Sequence, residues 1–360
     1  MRARELGITI GTLPTGEHNA ITDVAGVRVG HTTLVEGDDI RTGVTVVVPA
    51  DHVAADPVYA AHHRLNGNGE MTGLPWLEEA GLLHSPIGLT NTHSVGVVRD
   101  ALVALELAEI SPGVETWALP VVAETWDGEL NDVDGFHVTG EHARAAYTSA
   151  RGGRVEEGAV GGGTGMTCHE FKAGIGTSSR TVGRWTVGVL VQANYGRRER
   201  FSVNGVPVGL EIGTDVIPGV GPAPRAAPGA GSIIGIVATD APLLPLQCRR
   251  LAQRSSLGIA RMGGVGENSS GDLFLAFSTA NRGMGLLVAH APDVASVQTM
   301  SNSAMTPLFD AVIEATEEAI LNSILAADTM TGRGGTTAYA LEHGLLLAAL
   351  AKYGRPASPR

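Results

Sequence analysis

Cysteine is nearly absent from this chain, with 2 among 360 residues. Cys168 and Cys248 stand far apart and fit neither a disulfide framework nor a zinc-type CxxC spacing, so both are expected as small core residues. Aromatic side chains are scarce at 4%. No basic block of useful length occurs; the nearest, GRRER at residues 196–200, reads as a solvated turn. A formal charge of −12 argues against a nucleic-acid binder, because phosphate contacts need clustered Lys and Arg. The opening MRARELGITIGTLPTG has no apolar stretch typical of a secretory leader. No uninterrupted apolar run reaches the length of a membrane span. The expectation is a soluble cytoplasmic protein with no nucleic-acid or membrane partner.

What the chain does have is small and β-branched apolar residues. It is 43% hydrophobic with 49 glycines, enough to bury a sizeable core. Strands are expected over ITDVAGVRVGHTTL (21–34) and TGVTVVVP (42–49), followed by a polar loop, RLNGNGEMTG (64–73). PWLEEAGLL (75–83) predicts a short helix. PIGLTNTHSVGVV (86–98) predicts a strand running into a loop, and the helix RDALVALELAEI (99–110) follows. LPVVAETW (119–126) reads as a buried strand and HVTGEHARAAYTSA (137–150) as a helix. A glycine-rich passage at 160–180 leads into the strand WTVGVLVQANYG (185–196). Between 218 and 231, eight of fourteen residues are Pro or Gly and four are Ala, which no core element tolerates; an exposed linker is expected. Beyond it come the strand SIIGIVAT and a helix over 241–263, with Asp240 as N-cap and Pro242 in the first turn. GDLFLAFSTAN (271–281) is a further strand, and helices are expected over 306–327 and 336–354. Strands first and long helices later suggest stacked sheets with helices outside.

The linker meets its strand at Gly231–Ser232, and that pair carries chemistry. Peptide self-cleavage needs a hydroxyl next to a carbonyl it can reach, with little bulk around that carbonyl. Gly231 supplies the unhindered carbonyl and backbone freedom; Ser232 supplies the nucleophile. An N→O acyl shift followed by hydrolysis would expose a new α-amine beside the same hydroxyl, able to act as its general base. Taken alone, Gly-Ser is equally a common linker dipeptide.

The surrounding motifs decide between these readings. NAITDVAGVRVGHTT, LNGNGEMTGLPWLEEAGLL, GLTNTHSVGVV, PVVAETWDGELNDVDG, GAVGGGTGMTCHEFKAGIGTSSR, GSIIGIVATDAPLLP and SSGDLFLAFSTAN together resemble the DmpA-like aminopeptidases, in the same order and over almost the whole chain. That family includes the L-aminopeptidase/D-esterase and β-peptidyl aminopeptidase enzymes. The resemblance implies an α+β fold, a four-layer αββα sandwich like that of N-terminal-nucleophile hydrolases but with different connectivity. It implies a single domain, processed into residues 1–231 and 232–360, assembled as a homotetramer. The activity it implies is removal of an N-terminal residue from small peptides, amides or esters, without a cofactor.

The resemblance also assigns roles. Ser232 matches the family's nucleophile. Ser270 and Asp272 match a serine and a carboxylate that hydrogen-bond around the nucleophile and its amine, although some members carry Glu at the second position. Read alone, the same residues are a polar turn before a strand. Glu124 matches the acidic residue that binds the substrate's free amino group, a role that needs a counter-charge once the ammonium is buried. Asn194 matches the oxyanion-hole asparagine, its amide being a suitable donor; read alone, it opens an Asn-Tyr-Gly turn. Trp126 stands where the family often has Tyr, whose hydroxyl helps hold the oxyanion. Indole Nε1–H can donate too, but from another position and on a bulkier ring.

Other candidates carry less. His62, His63 and His93 lack a carboxylate partner or a helical metal-ligand spacing, so no metal is expected. GGGTGMTC (161–168) lacks the ending of a phosphate loop, and its glycines are expected to permit close backbone approach near the site. Two alternatives stand beside the aminopeptidase reading: an ω-amino-amide hydrolase or acyltransferase of the same fold, and an uncleaved, non-catalytic relative. The related ornithine acetyltransferases use Thr at the cleavage point, which Ser232 does not match.

Overall fold

The computed structural model describes residues 1–110, 117–221, 231–284 and 294–358. Most of the expected Pro/Gly linker, 222–230, lies outside the described residues. The strands are β1 (Arg28–Glu36), β2 (Ile40–Val48), β3 (Val58–Gly67), β4 (Leu82–Leu83), β5 (Ile87–Asn91), β6 (Val121–Thr125), β7 (Thr167–Cys168), β8 (Phe171–Lys172), β9 (Ile175–Val182), β10 (Trp185–Asn194), β11 (Gly231–Thr239), β12 (Ser270–Ser278), β13 (Met330–Thr331) and β14 (Thr337–Ala338). The helices are α1 (Leu74–Ala80), α2 (Val95–Glu109), α3 (Gly140–Thr148), α4 (Val208–Glu211), α5 (Pro245–Arg261), α6 (Thr306–Leu325) and α7 (His343–Lys352). One sheet runs β1-β2-β5-β6 and the other β4-β3-β12-β11-β10-β9.

Alternating side chains on these strands build separate cores. On β11, Ile234, Ile236 and Ala238 face the gap between the sheets, where they meet Val47, Ile87, Leu89 and Ala123 of the first sheet. Ile233 and Val237 face the other way, onto Leu251 of α5 and Ala315 and Ala319 of α6. A strand buried on both faces reads as a continuous apolar run, which is why SIIGIVAT shows no alternation. The first sheet repeats the arrangement, with Val44, Val46 and Val122 packed under Val98 and Leu102 of α2 and Ala143 of α3. The layers are therefore α2/α3, sheet, sheet, α5/α6, the αββα order expected.

Two strand pairs are parallel, β5 with β6 and β11 with β12, each joined through a helix on the outer face of its sheet. The glycine-rich passage enters between the sheets. A Cβ at Gly162 would fall 2.2 Å from Gln192 Oε1 and 2.6 Å from Leu89 O, so only glycine fits there. Gln192 ties the sheets together from β10, donating to Thr90 O at 2.9 Å and Thr125 Oγ1 at 2.8 Å.

Several element boundaries move. The helix expected over 241–263 starts at Pro245, with Gln247 Oε1 accepting the Leu244 N–H at 3.0 Å. Asp240 instead accepts the Thr186 N–H at 2.7 Å, holding the end of β11 to the start of β10. Pro242 precedes the helix. The short helix at 75–83 stops at Ala80, where Gly81 takes φ 69° and the chain turns into β4. The last helix begins only at His343, because Thr337–Ala338 pairs with Met330–Thr331. Strand β3 had no sequence signal, since its centre is the polar His62-His63-Arg64, and it takes in the first residues of the loop expected at 64–73.

A buried ionic cluster anchors the N-terminal segment. Arg180, fully buried on β9, donates to Glu314 Oε2 (3.1 Å) and Glu318 Oε2 (2.7 Å) of α6 and to Ile10 O (2.8 Å). Glu318 also accepts from Asn19 Nδ2 at 2.6 Å. Arg180→Met would leave Glu314 without an ionic partner and Glu318 with Arg4 alone, and should lower the unfolding free energy by about 3 kcal/mol. Urea denaturation checks this, and adding Glu314→Gln should return much of the loss.

Candidate active site

The ends of five strands meet at one mouth of the gap between the sheets: the N-termini of β11 and β12 and the C-termini of β3, β6 and β10. Ser232 sits here, second in β11 and buried. Its parallel partner is Gly271 of β12 and its antiparallel partner is Asn194 of β10. The pairing explains Gly231: a Cβ there would fall 2.2 Å from Asn194 O and 2.9 Å from Tyr195 Cα. Gly231 is thus imposed by the close passage of β10.

The Gly271 N–H donates to Ser232 Oγ at 3.1 Å. Because paired residues of neighbouring strands point to the same face, Asn194 and Ser232 project together into the gap between the sheets. The Asn194 side chain is held at both ends. Its Oδ1 accepts the Thr167 N–H at 3.0 Å, and its Nδ2 donates to the main-chain carbonyl of Trp126 at 2.7 Å. The amide nitrogen carries two hydrogens, so one donor bond to Trp126 leaves a second for a ligand.

Trp126 is present through its carbonyl. Its indole is 43% exposed and lies over Gly128, where a Cβ would fall 2.9 Å from Nε1. Ser270 and Asp272 lie on the opposite face of the sheet from Ser232 Oγ. Along β12, Leu273, Leu275 and Phe277 face the gap whereas Phe274 and Ala276 face α5 and α6, and the alternation sends 270 and 272 with the latter. Ser270 Oγ donates to Asp272 Oδ1 at 2.6 Å, and Asn66 Nδ2 lies 3.4 Å from Oδ2. Burial pushes the Asp272 carboxyl above its usual range, opposed by the bonds from Ser270, Asn66 and the Ile233 N–H. From this face the pair reaches the main chain of β11, where a new α-amine at 232 would stand, rather than the Ser232 hydroxyl.

Glu124 closes the mouth from β6. One carboxylate oxygen accepts the Glu70 N–H at 2.9 Å, and the other accepts the Thr92 hydroxyl. Burial raises its pKa above the usual carboxylate value, and these two bonds oppose the rise. Gly69 links it to β12, the parallel partner of Ser232's strand: a Cβ there would lie 3.1 Å from Gly271 Cα and 3.2 Å from Glu124 Oε1. Asn66, Gly69, Thr92 and Gly271 were not singled out from sequence. The NGNG run and the NTHS loop were the signal for Asn66, Gly69 and Thr92, and SSGD for Gly271, but which group each presents depends on pairing across the sheets.

Of the remaining candidates, His93 stands beside Thr92, close enough to lower the Glu124 pKa, and His62 and His93 each have a carboxylate partner where none was expected. His62 bonds Glu78 at 2.7 Å, His63 stacks on Phe274, and His93 faces Asp134 at 3.3 Å. Among the described residues no three His, Cys, Asp or Glu are grouped to hold a metal ion. Both cysteines are buried, and burial pushes the Cys248 thiol up to about 12. No described helix is long and apolar enough to cross a membrane.

Comparison with known proteins places this arrangement. The profile of Peptidase family S58 matches residues 19–338. Beta-peptidyl aminopeptidase BapA of Sphingosinicella microcystinivorans is 49% identical, over 100% of this chain and 94% of that protein. A solved Burkholderia sp. beta-aminopeptidase superposes with TM-score 0.90 at 50% identity, covering 98% of this chain and 99% of its own. The L-aminopeptidase D-Ala-esterase/amidase of Ochrobactrum anthropi, described as a variant of the Ntn hydrolase fold, superposes with TM-score 0.90 at 41% identity, covering 98% and 99%. The fold is that of the Ntn-hydrolase aminopeptidases.

The raised pKa of Glu124 has a consequence for stability. A carboxyl whose folded value lies above its unfolded one opposes folding once pH rises past the unfolded value, about 4.3. Glu124→Gln removes that opposition, so its melting temperature should exceed the parent's at pH 8. The gap should close below pH 4. Calorimetry across that range checks it; a variant that melts below the parent at pH 8 would show that the charge stabilises the fold.

Proposed function

The chain belongs to peptidase family S58 and is an aminopeptidase, and from that premise we propose that it cuts itself between Gly231 and Ser232 and then works through the exposed Ser232. The observation that carries the proposal is Ser232 Oγ at the start of β11, held by the Gly271 N–H and facing Asn194 across the strand pair. In processing, Oγ attacks the Gly231 carbonyl and the Ser232 nitrogen departs as the amine. Water then hydrolyses the ester, leaving a Gly231 carboxylate and a free α-amine on Ser232. A single domain thereby becomes chains 1–231 and 232–360.

In catalysis the substrate's ammonium docks on Glu124, whose burial against Thr92 and Glu70 makes an unpaired charge unfavourable and a bound cation favourable. Ser232 Oγ attacks the scissile carbonyl and passes its proton to its own amine. Asp272, with Ser270 and Asn66 on it, stands on the side of the sheet from which it steadies that amine as it becomes an ammonium. The oxyanion is held by the Asn194 amide. Trp126 enters through the carbonyl that orients Asn194, and its indole walls the pocket. Water then releases the acyl group. No step calls for a cofactor.

The substrates are small peptides and aminoacyl amides or esters, and the named relatives support acceptance of β-amino residues at the N-terminus. For the cleaved units we adopt the family's homotetramer, in the cytoplasm.

Intact mass should show two chains for the purified protein and one 37.1 kDa chain for Ser232→Ala, with hydrolysis lost in the variant; hydrolysis surviving there would refute the nucleophile. On a panel of p-nitroanilides, β-homoamino acid derivatives should be cleaved, and N-acetylation should lower kcat/KM at least about a hundredfold through loss of the Glu124 ion pair. An acetylated substrate cleaved as fast as the free amine would remove Glu124 from this role.

A further inference from the structure

Lys172 on β8 is fully buried, and its ammonium meets no carboxylate among the described residues. Its Nζ donates to two main-chain carbonyls, Met166 O at 2.8 Å and Ala173 O at 2.6 Å. Burial alone pushes its pKa down, to about 7. An ammonium held only by neutral partners is unfavourable in a protein interior, and a methionine would fill the same volume without charge. The far side of one of those carbonyls shows what the charge can do.

The peptide unit that offers Met166 C=O to Lys172 carries the Thr167 N–H, and that N–H donates to Asn194 Oδ1 at 3.0 Å. A trans peptide directs its C=O and N–H in opposite senses, so ammonium, peptide and side-chain amide stand head to tail. In a low-dielectric interior each hydrogen bond polarises the next. Positive charge at the Met166 oxygen makes the Thr167 hydrogen more positive. That in turn draws electron density from the Asn194 amide and makes its Nδ2 hydrogens better donors.

We propose that Lys172 is a positioning residue of the oxyanion site, acting through the Met166–Thr167 peptide to aim and polarise the Asn194 amide toward the oxygen that turns negative when Ser232 attacks. The inference rests on Asn194 being the oxyanion donor of the proposed mechanism. Lys172 itself touches no reacting atom; the β7–β8 hairpin brings it to the back of Asn194, away from the mouth of the site.

A double-mutant cycle of Lys172→Gln and Asn194→Ala tests it, with kcat on an aminoacyl p-nitroanilide referenced to Ser232 titrated by the p-nitroaniline burst. Gln keeps N–H donors for the carbonyls and removes the charge. Asn194→Ala should lower kcat about 10²–10³-fold. Lys172→Gln should lower it about tenfold with KM within about twofold, and less than about twofold further in the Asn194→Ala background. An equal tenfold loss in both backgrounds would make Lys172 a structural residue and overturn the relay. A slow Asn194→Ala enzyme beside a full-rate Lys172→Gln enzyme overturns the relay alone; a full-rate Asn194→Ala enzyme overturns the oxyanion assignment with it. Should Lys172→Gln not melt cooperatively, an ester in place of the Met166–Thr167 peptide removes the N–H and leaves Lys172 intact. There, kcat about tenfold down at constant KM supports the relay, and unchanged kcat overturns it.

Discussion

Everything at the mouth of the site depends on how closely three backbones pass at the start of β11. Gly231 lies against the end of β10, and Gly271 lies against the 67–70 loop, where a Cβ would fall 2.5 Å from Asn68 O and 2.7 Å from Gly69 Cα. These contacts are tighter than any side chain allows. They bring the Gly271 N–H to the serine oxygen, set Asn194 opposite it, and carry the loop across to Glu124. A site of this kind is built from strand register, and a shift of one residue would turn Ser232 away from the gap.

The second organising feature is the use of buried charge. At the α6 face, Arg180 and its carboxylates satisfy one another and fasten the N-terminal segment to the helix. Around the site the charges are left less balanced. Glu124 and Asp272 are both raised by burial, and Lys172 is lowered by it. Such groups weaken the fold when left alone and respond strongly to a charge that arrives or develops beside them, as the mechanism proposed above requires.

The sheet itself separates two tasks. The Ser232 hydroxyl and the Asn194 amide lie toward the gap between the sheets, whereas Glu124 follows Val122 on the α2 side of β6. Ser270, Asp272 and Asn66 lie on the helix side, against the main chain of β11. In the mechanism proposed above, an α-amine created at Ser232 belongs to the backbone, reachable from one face while its hydroxyl works on the other.

Much of this was legible in residue order. β-branched runs announced β2, β10 and β11, and the apolar run LFLAF announced β12; the longer motifs announced the family. The sequence also determined that Gly precedes Ser, because that pair is a covalent fact. Tertiary structure alone decided what surrounds them. Strand β3 is polar in sequence and becomes a strand because β12 and β4 pair with it. Asp240 turned from a helix cap into a tie between strands, and Trp126 entered through its carbonyl. Asn66 and Thr92 sit in loops visible in the sequence, but their partners are 206 and 32 residues away, and Lys172 bonds Met166 6 residues away, so no local signature shows what each side chain meets. Local propensity reports neighbours along the chain, whereas register and sheet stacking choose the neighbours that do the chemistry.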